Sequence, residues 1–494
     1  MRLLTIKRKK LQKPYISKIL LNSLFILFIY LSIFLKDFKK TIIYKEIYKK
    51  LIENNFFRND NMNCDLLDPI FLMAERFKKE PATICKSQES YHICYHNSKG
   101  NNYNQIARVK NGVICQSNNF IIDPFKSKQT EYIYKGPIDK KNRGSPILLK
   151  GFFNMKCKIY RKFLGYDQIY HNYFMSWNYD YENREENIKE LAPGKTILFI
   201  SRNQDSPNLF HGTSDIINTL SIMYLFNLKP ENIQIIFLES MYLQNDPFYE
   251  LYKNIISRGG EPLYIRNLKQ KYHITSAIHV PINWDSPLFI DVNMPNGYPN
   301  CKYSTQTYNI FNNLINKYLN ISTFKDSFVS DLDTFYYPKS VIQNYKLGIN
   351  FTKTLTIQWR KVWPKGREFQ KRILGNGVEL ADKLAFILPK TYLIRLVDTA
   401  SLSIEEQISI MKKTDYLIGI HGAGISLSIF MPIKSILYEI LPKKNIKVLI
   451  LMSSLSGHII YSDIIKSKKK IINNNEVFYF DTSDFSNNVL KHIK

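Results

Sequence analysis

Leu417–Pro432 reads LIGIHGAGISLSIFMP. A short apolar run ends at Ile420, a turn of small residues follows, and a second apolar run begins at Ile425. The first run is rich in Leu and Ile, which predicts a buried strand over Tyr416–Ile420. In His421-Gly422-Ala423-Gly424 the small residues let the backbone approach a ligand closely. Ile425–Phe430 then predicts a helix, whose first N–H groups lack partners within it. Such N–H groups at the positive end of a helix favour a diphosphate. Ser435–Ile440 predicts the next strand. Glu439, near its end, can accept hydrogen bonds from ribose hydroxyls, as acidic residues do in dinucleotide-binding folds. His421 can donate to a phosphate or to a departing oxygen. Taken alone, a short glycine turn is as readily a tight strand-to-helix connection, with His421 a satisfied core residue.

The same alternation extends outward from this stretch. Thr354–Gln358 and Tyr392–Val397 read as strands, Asn376–Phe386 and Ser403–Lys413 as helices. Ser403-Ile404-Glu405-Glu406 predicts a capping box, in which Ser and Glu satisfy orphan N–H groups at the helix start. An earlier unit repeats the pattern: strands at Thr196–Ser201 and Ile233–Leu238, helices at Asp215–Phe226 and Phe248–Ser257, the last stopped by Gly259-Gly260. Strand alternating with helix predicts parallel sheets. The expected fold class is α/β, with two Rossmann-like, doubly wound lobes facing a cleft. The N-terminal lobe spans 81–345 and the C-terminal lobe 346–494, with the polar stretch Ile321–Lys346 between them. Residues 85–190 read as loops and short strands without further division.

Ile19–Leu35 (ILLNSLFILFIYLSIFL) is uncharged and at the short end for a membrane-spanning helix. Arg2, Lys7, Arg8, Lys9, Lys10, Lys13 and Lys18 precede it. A basic N-terminus favours the cytosolic side. The expectation is a cytosolic tail (1–18), a signal-anchor (19–35), a stem (36–80) and a lumenal remainder. A cleaved signal peptide competes, but no small-x-small site follows Leu35. Sequons at Asn320 and Asn350 fit lumenal exposure. All six cysteines follow the apolar segment, and an even count suits up to three disulfides. Cys85 and Cys94 are close enough to close a small loop, and the connectivity is otherwise open. No Cys/His pair has zinc-finger spacing, so no metal site is expected. The net charge of +27 is scattered, without a recognition motif, which argues against nucleic acid as a partner.

Thr414–Pro432 (TDYLIGIHGAGISLSIFMP) resembles the signature of glycosyltransferase family 61: an acidic residue, an apolar strand, His-Gly-Ala-Gly, then an apolar helix ending in Phe-x-Pro. Leu437–Pro442 (LYEILP) is similar to that family's glutamate-bearing strand, and Leu402–Ile410 with Gln407 to the helix before the signature. Asn208-Leu209-Phe210-His211 with Asp215 resembles a second block. Trp359–Asn376, with Arg360, Arg372 and Asn376, resembles a third. The resemblance covers about Lys195–Ile465. Ile425-Ser426 stands where the family usually has Leu-Thr, and Val362–Gly366 is atypical; both bear on the identity of the sugar.

The resemblance implies a GT-B fold and an inverting, single-displacement transfer from a UDP-sugar, with GlcNAc and xylose the first candidates. The acceptor would be a glycan or glycoprotein hydroxyl, in the lumen of the endoplasmic reticulum or Golgi. The C-terminal lobe would hold the donor and the N-terminal lobe the acceptor. Arg360 and Arg372 would clamp the diphosphate, Gly422, Ala423 and Gly424 would give close backbone, and Glu439 would meet the ribose. Asp215 would take the acceptor's proton, with His211 the other candidate. No tightly bound cofactor and no essential divalent metal are implied. Asp331-Leu332-Asp333 is a rival metal motif of Asp-x-Asp type in the interlobe stretch. The alternative is a catalytically silent glycan-binding protein of the same fold.

Overall fold

The computed structural model describes residues 62–65, 67–74, 82–95, 114–128, 147–160, 173–182, 187–202, 209–238, 248–280, 301–319, 321, 323–331, 334–359, 372–441, 448–465, 467–472 and 475–493. Ile19–Leu35 and the residues expected to form the cytosolic tail lie outside this set. Among the described residues, no helix is long and apolar enough to cross a membrane.

Among the described residues, the first sheet contains ten strands. Those that matter here are β1 (Ala82–Lys86), β2 (Tyr91–Tyr95), β3 (Ile114–Ile122), β4 (Thr196–Ile200), β5 (Ile233–Phe237), β6 (Leu263–Tyr264) and β7 (Tyr272–Val280). They lie in the order β6-β5-β4-β7-β3-β2-β1. β6, β5, β4 and β7 are parallel. β5 is buried along its whole length, as its run of Ile and Phe requires of a strand covered on both faces. From β7 onward the pairing turns antiparallel. This lobe is therefore a mixed sheet, not the uniformly doubly wound one expected. Tyr91–Tyr95 gives the reason: its side chains alternate between buried and half-exposed, as in antiparallel strands with one wet face.

Helix α1 (Pro69–Ala74) packs on α2 (Leu209–Leu225), the crossover between β4 and β5. Helix α3 (Gln306–Tyr318) packs on both. α2 starts six residues earlier than Asp215–Phe226 suggested, so His211 and Asp215 both fall within it.

The second sheet runs β8 (Phe335–Tyr336), β11 (Tyr392–Val397), β9 (Lys353–Gln358), β12 (Tyr416–Ile420), β13 (Ile436–Ile440) and β14 (Ile459–Asp463). The last five are parallel, and β8 closes one edge antiparallel. In chain order the parallel strands read 2-1-3-4-5, one of the common doubly wound arrangements. β8 lies before Lys346, so this lobe begins inside the stretch read as a link. Short β10 (Ile373–Leu374) lies outside this sheet, beside β16 (Asn475–Phe480), which pairs in turn with β15 (Ser467–Ile472).

The helix Ile404–Met411 carries both halves of its capping box: the Glu406 amide donates to Ser403 Oγ at 3.2 Å, and the Ser403 amide to Glu406 Oε2 at 2.8 Å. Ser403→Ala should lower unfolding free energy by about 1 kcal/mol, read as a fall in the denaturant midpoint with unchanged slope.

The segment after His-Gly-Ala-Gly is a 3₁₀ helix, Ala423–Phe430, rather than an α-helix. Ser426 Oγ donates back to the Ala423 carbonyl at 2.5 Å, and the Ile425 amide to the Gly422 carbonyl at 3.1 Å. Hydroxyls that reach back in this way draw the turn tight, and Pro432 ends it. This helix packs on α2. Ile216, Ile217 and Leu220 of α2 join Ile425, Leu427 and Ile429 in a single buried cluster, so the two sheets share one core.

Three disulfides link Cys64 to Cys301, Cys85 to Cys157 and Cys94 to Cys115. The small loop between Cys85 and Cys94 does not form. The β1–β2 register sets Cys85 against His92 and Cys94 against Ala82, so the two thiols do not face one another.

Candidate active site

β9 and β12 are neighbours in space, but the chain leaves β9 for β11 on one side and reaches β12 only later. Such a reversal opens a crevice beyond the carboxyl ends of the two strands, the usual ligand position in sheets of this kind. β9 ends at Gln358 and β12 at Ile420, so His421-Gly422-Ala423-Gly424 stands at that crevice. Asp415 fastens the strands together: its Oδ2 accepts from the Thr354 amide at 2.8 Å and its Oδ1 from Lys353 Nζ at 3.2 Å.

β12 and β13 pair with Gly419 opposite Glu439, and the His421 amide donates to the Ile440 carbonyl at 2.9 Å. His421 Nδ1 then lies 2.5 Å from Glu439 Oε1. Ser462 Oγ donates to Glu439 Oε2 at 3.2 Å. Glu439 is wholly buried and both its oxygens are engaged. The sequence suggested a ribose contact; the structure sets this carboxylate against the imidazole. Ala423 and Gly424 are half-exposed. A Cβ on Gly424 would run into the Gln358 amide, which is buried and donates to Thr399 Oγ1 at 3.0 Å. Glycine there lets Gln358 close under the turn.

Arg372 immediately precedes β10, and its Nη1 donates to the His421 carbonyl at 2.8 Å. Burial lowers its guanidinium pKa, while Glu476 on β16 and Glu439 oppose that shift. It remains a cation, as arginine does throughout the accessible range. Arg372, His421, Gly422, Ala423, Gly424 and Glu439 are thus brought together. Arg360 lies outside the described residues. Asn376 fixes the neighbouring sheet, its Nδ2 donating to the Phe480 carbonyl at 2.8 Å.

His211 and Asp215, four apart on α2, share one helix face. His211 is half-buried and Asp215 is 1% exposed. α2 is the element of the first lobe that packs on the 3₁₀ helix following the glycine turn. Asp331 shapes its own loop, its Oδ1 accepting from the amides of Thr334 and Phe335 at 2.7 and 2.8 Å. Asp333 and Asn320 lie outside the described residues. Asn350 and Thr352 are exposed before β9, open to glycan addition.

Arg395 and His458 are among the buried groups that the sequence did not single out. Arg395 on β11 is wholly buried and was visible in principle as a charge inside the apolar run YLIRLV. His458, just before β14, is buried, and burial pushes its imidazole down to about 4. The unfolded histidine titrates higher, so its stabilising contribution is complete above pH 6.5 and is lost as pH falls toward 4. Between pH 6.5 and 4.5 the wild type should lose about 2 kcal/mol more than His458→Gln does. Parallel urea titrations of the two proteins give this difference directly, and equal losses would refute it.

A mixed α/β chain with a parallel sheet and an Arg–His–Glu cluster around a glycine turn at its strand reversal has the framework of an α/β glycosyltransferase. Residues 277–438 match the family described as Glycosyltransferase 61, and this match supports membership of that family and a glycosyltransferase assignment. The match covers about a third of the chain, from β7 to the residue before Glu439. α2, with His211 and Asp215, lies outside it. No curated protein matches the chain.

Proposed function

We propose that the chain is an inverting glycosyltransferase of GT-B type that moves GlcNAc or xylose from a UDP-sugar to a glycan or glycoprotein hydroxyl. The observation that carries this reading is the cluster at the reversal between β9 and β12, where Arg372, His421 and Glu439 surround the Gly422–Gly424 turn. Half-exposed Ala423 and Gly424 offer backbone to the diphosphate, and the N-terminal amides of the 3₁₀ helix offer donors. Arg372 and Arg360 offset its charge.

In the transfer, the acceptor oxygen attacks the anomeric carbon opposite the UDP. The carbon–oxygen bond to the β-phosphate breaks, and UDP leaves with the bonding pair. The acceptor's proton passes to a base on α2. His211 is the more accessible group there, with Asp215 one turn further along the same face. In the second sheet Glu439 fixes the ring of His421, which can then donate to the leaving oxygen. No cofactor or divalent metal enters this scheme. The proposed setting is the lumen of the endoplasmic reticulum or Golgi, behind a single N-terminal anchor, and exposed Asn350 and the disulfides support it.

The test is to incubate the purified lumenal part with a panel of UDP-sugars and measure UDP release with and without EDTA. Release from UDP-GlcNAc or UDP-xylose that survives EDTA is the expected result. Preference for another donor would overturn the sugar assignment, loss in EDTA the metal-free scheme, and absence of UDP binding the catalytic reading itself.

A further inference from the structure

Away from the transferase site, three antiparallel strands place four metal-ligating side chains on one buried face. The β2–β3 register sets Cys94 against Cys115, and the β3–β7 register sets Cys115 against His279. Residues opposite one another across a ladder share a face. His92 lies two before Cys94 on β2, hence on that face too. All four are buried, at 3% exposure or less. One ligand atom each from His92, Cys94 and Cys115 lies within 4.8 Å of the other two. His92 Nε2 is 3.3 Å from Cys94 Sγ, while its Nδ1 meets the Tyr179 hydroxyl at 3.0 Å. That is the outer-shell arrangement that orients a ligating histidine. His279 lies close enough to His92 for the two to interact electrostatically, and its ring stacks on Tyr173 at 4.0 Å. Its buried Nδ1 has no hydrogen-bond partner among the described residues. An apolar wall with a buried, unpaired imidazole nitrogen is poor use of a histidine unless something soft or cationic can join it.

In the structure Cys94 and Cys115 form a disulfide. We propose that in the dithiol state the same site binds one Zn²⁺ through Cys94, Cys115 and His92, with His279 as fourth ligand. Two thiolates and two imidazoles are a set zinc takes readily. The conversion balances. A dithiol reductant gives two electrons to the Cys94–Cys115 bond and is itself oxidised to a disulfide, leaving two thiols on the protein. Zn²⁺ binding then releases their two protons to solvent. Linear spacing hides the site, because only His92 and Cys94 are neighbours in sequence. The disulfide ties β2 to β3 within the antiparallel half of the first sheet; the metal form, through His279, would extend that link to β7, the last of the parallel strands. The metal form would hold that junction in the chain before it is oxidised.

The test uses the full chain, refolded from denaturant in excess dithiol with or without Zn²⁺ and then desalted into metal-free reducing buffer. About one zinc per folded chain is expected, with none retained after oxidation. Cys94→Ser with Cys115→Ser should abolish retention, whereas Cys85→Ser with Cys157→Ser should not. His92→Gln should weaken binding by about tenfold or more. Cobalt in place of zinc should show thiolate charge transfer together with tetrahedral d–d bands. Three results would each overturn the proposal: a folded, reduced chain without zinc, zinc retained by the Cys94/Cys115 double variant, or a reduced chain that stays unfolded with Zn²⁺ present.

Discussion

Glu439→Gln is expected to lower transferase kcat/KM by about 10- to 100-fold, which is about 1.4–2.7 kcal/mol of lost transition-state stabilisation. The substitution keeps the shape and removes the charge. In the wild type both carboxylate oxygens accept, one facing His421 Nδ1 and the other accepting a hydrogen bond from Ser462 Oγ. An amide has one accepting oxygen and one donating nitrogen, so it cannot serve both partners in their present roles. If the nitrogen turns to His421, the ring must present a lone pair at Nδ1 and carry its proton on Nε2. If the oxygen does, the amide nitrogen faces the Ser462 hydroxyl, which must then accept. Either way the ring of His421 loses the negative charge beside it in a buried site, where a charge weighs most. Glu439 is wholly buried, so the variant cannot act by losing a direct solvent-side contact. The discriminating measurement is a cycle of Glu439→Gln, His421→Ala and the double variant. If Glu439 acts through His421, the double variant should be no slower than His421→Ala alone. Additive losses would mean that Glu439 acts on the donor independently, as a ribose ligand would. Full activity in Glu439→Gln would dismiss the pair altogether.

How much of this was legible depends on where each signal resides in the chain. Tyr392–Val397 and Tyr416–Ile420 are strands with the bounds read from sequence, because a strand covered on both faces needs an unbroken apolar run and little else matches one so short. The Ser403 capping box was equally local: four residues contain both donors and both acceptors. Ile425–Phe430 reads as a helix but not as a 3₁₀ helix starting at Ala423, because 3₁₀ and α turns share composition and the choice falls to hydroxyls reaching back one turn. The antiparallel strands between 82 and 122 gave little signal, since polar residues such as His92, Gln116, Ser117, Asn118 and Asn119 interrupt their apolar positions. Cysteine pairing was hidden for a related reason. It follows cross-strand register, such as Cys94 against Cys115, which no spacing along the chain encodes. At the active site, the residue types and the glycine turn could be read locally. That Glu439 meets His421 rather than standing free needed the β12–β13 register as well.

Asp326→Ala is expected to cost about 3–5 kcal/mol of stability, the usual consequence of leaving a buried charge without its partner. The charge left behind is Arg395, which is wholly buried on β11. Its Nη1 donates to Asp326 Oδ1 at 2.8 Å, its Nε to Thr356 Oγ1 at 3.0 Å and its Nη2 to the Ile410 carbonyl at 3.0 Å. Thr414 Oγ1 accepts from the same Nη2 at 3.3 Å. Those neutral acceptors satisfy its protons but not its charge, so truncating Asp326 removes the anion that answers this cation. Tyr337 also loses the acceptor for its hydroxyl, which now donates to Asp326 Oδ1 at 2.9 Å. The effect should reach the site. Thr356 lies on β9 and Thr414 opens the strand that delivers His421, so Arg395 clamps the two strands whose ends form the crevice. Asn at position 326 should recover part of the hydrogen bonding but not the charge, and fall between alanine and wild type. Replacing Arg395 and Asp326 together with Met and Leu removes the uncompensated charge and should cost less than Asp326→Ala alone. Urea unfolding of the four proteins decides the matter: if the double variant proves the least stable, the penalty comes from lost packing and not from an orphaned charge.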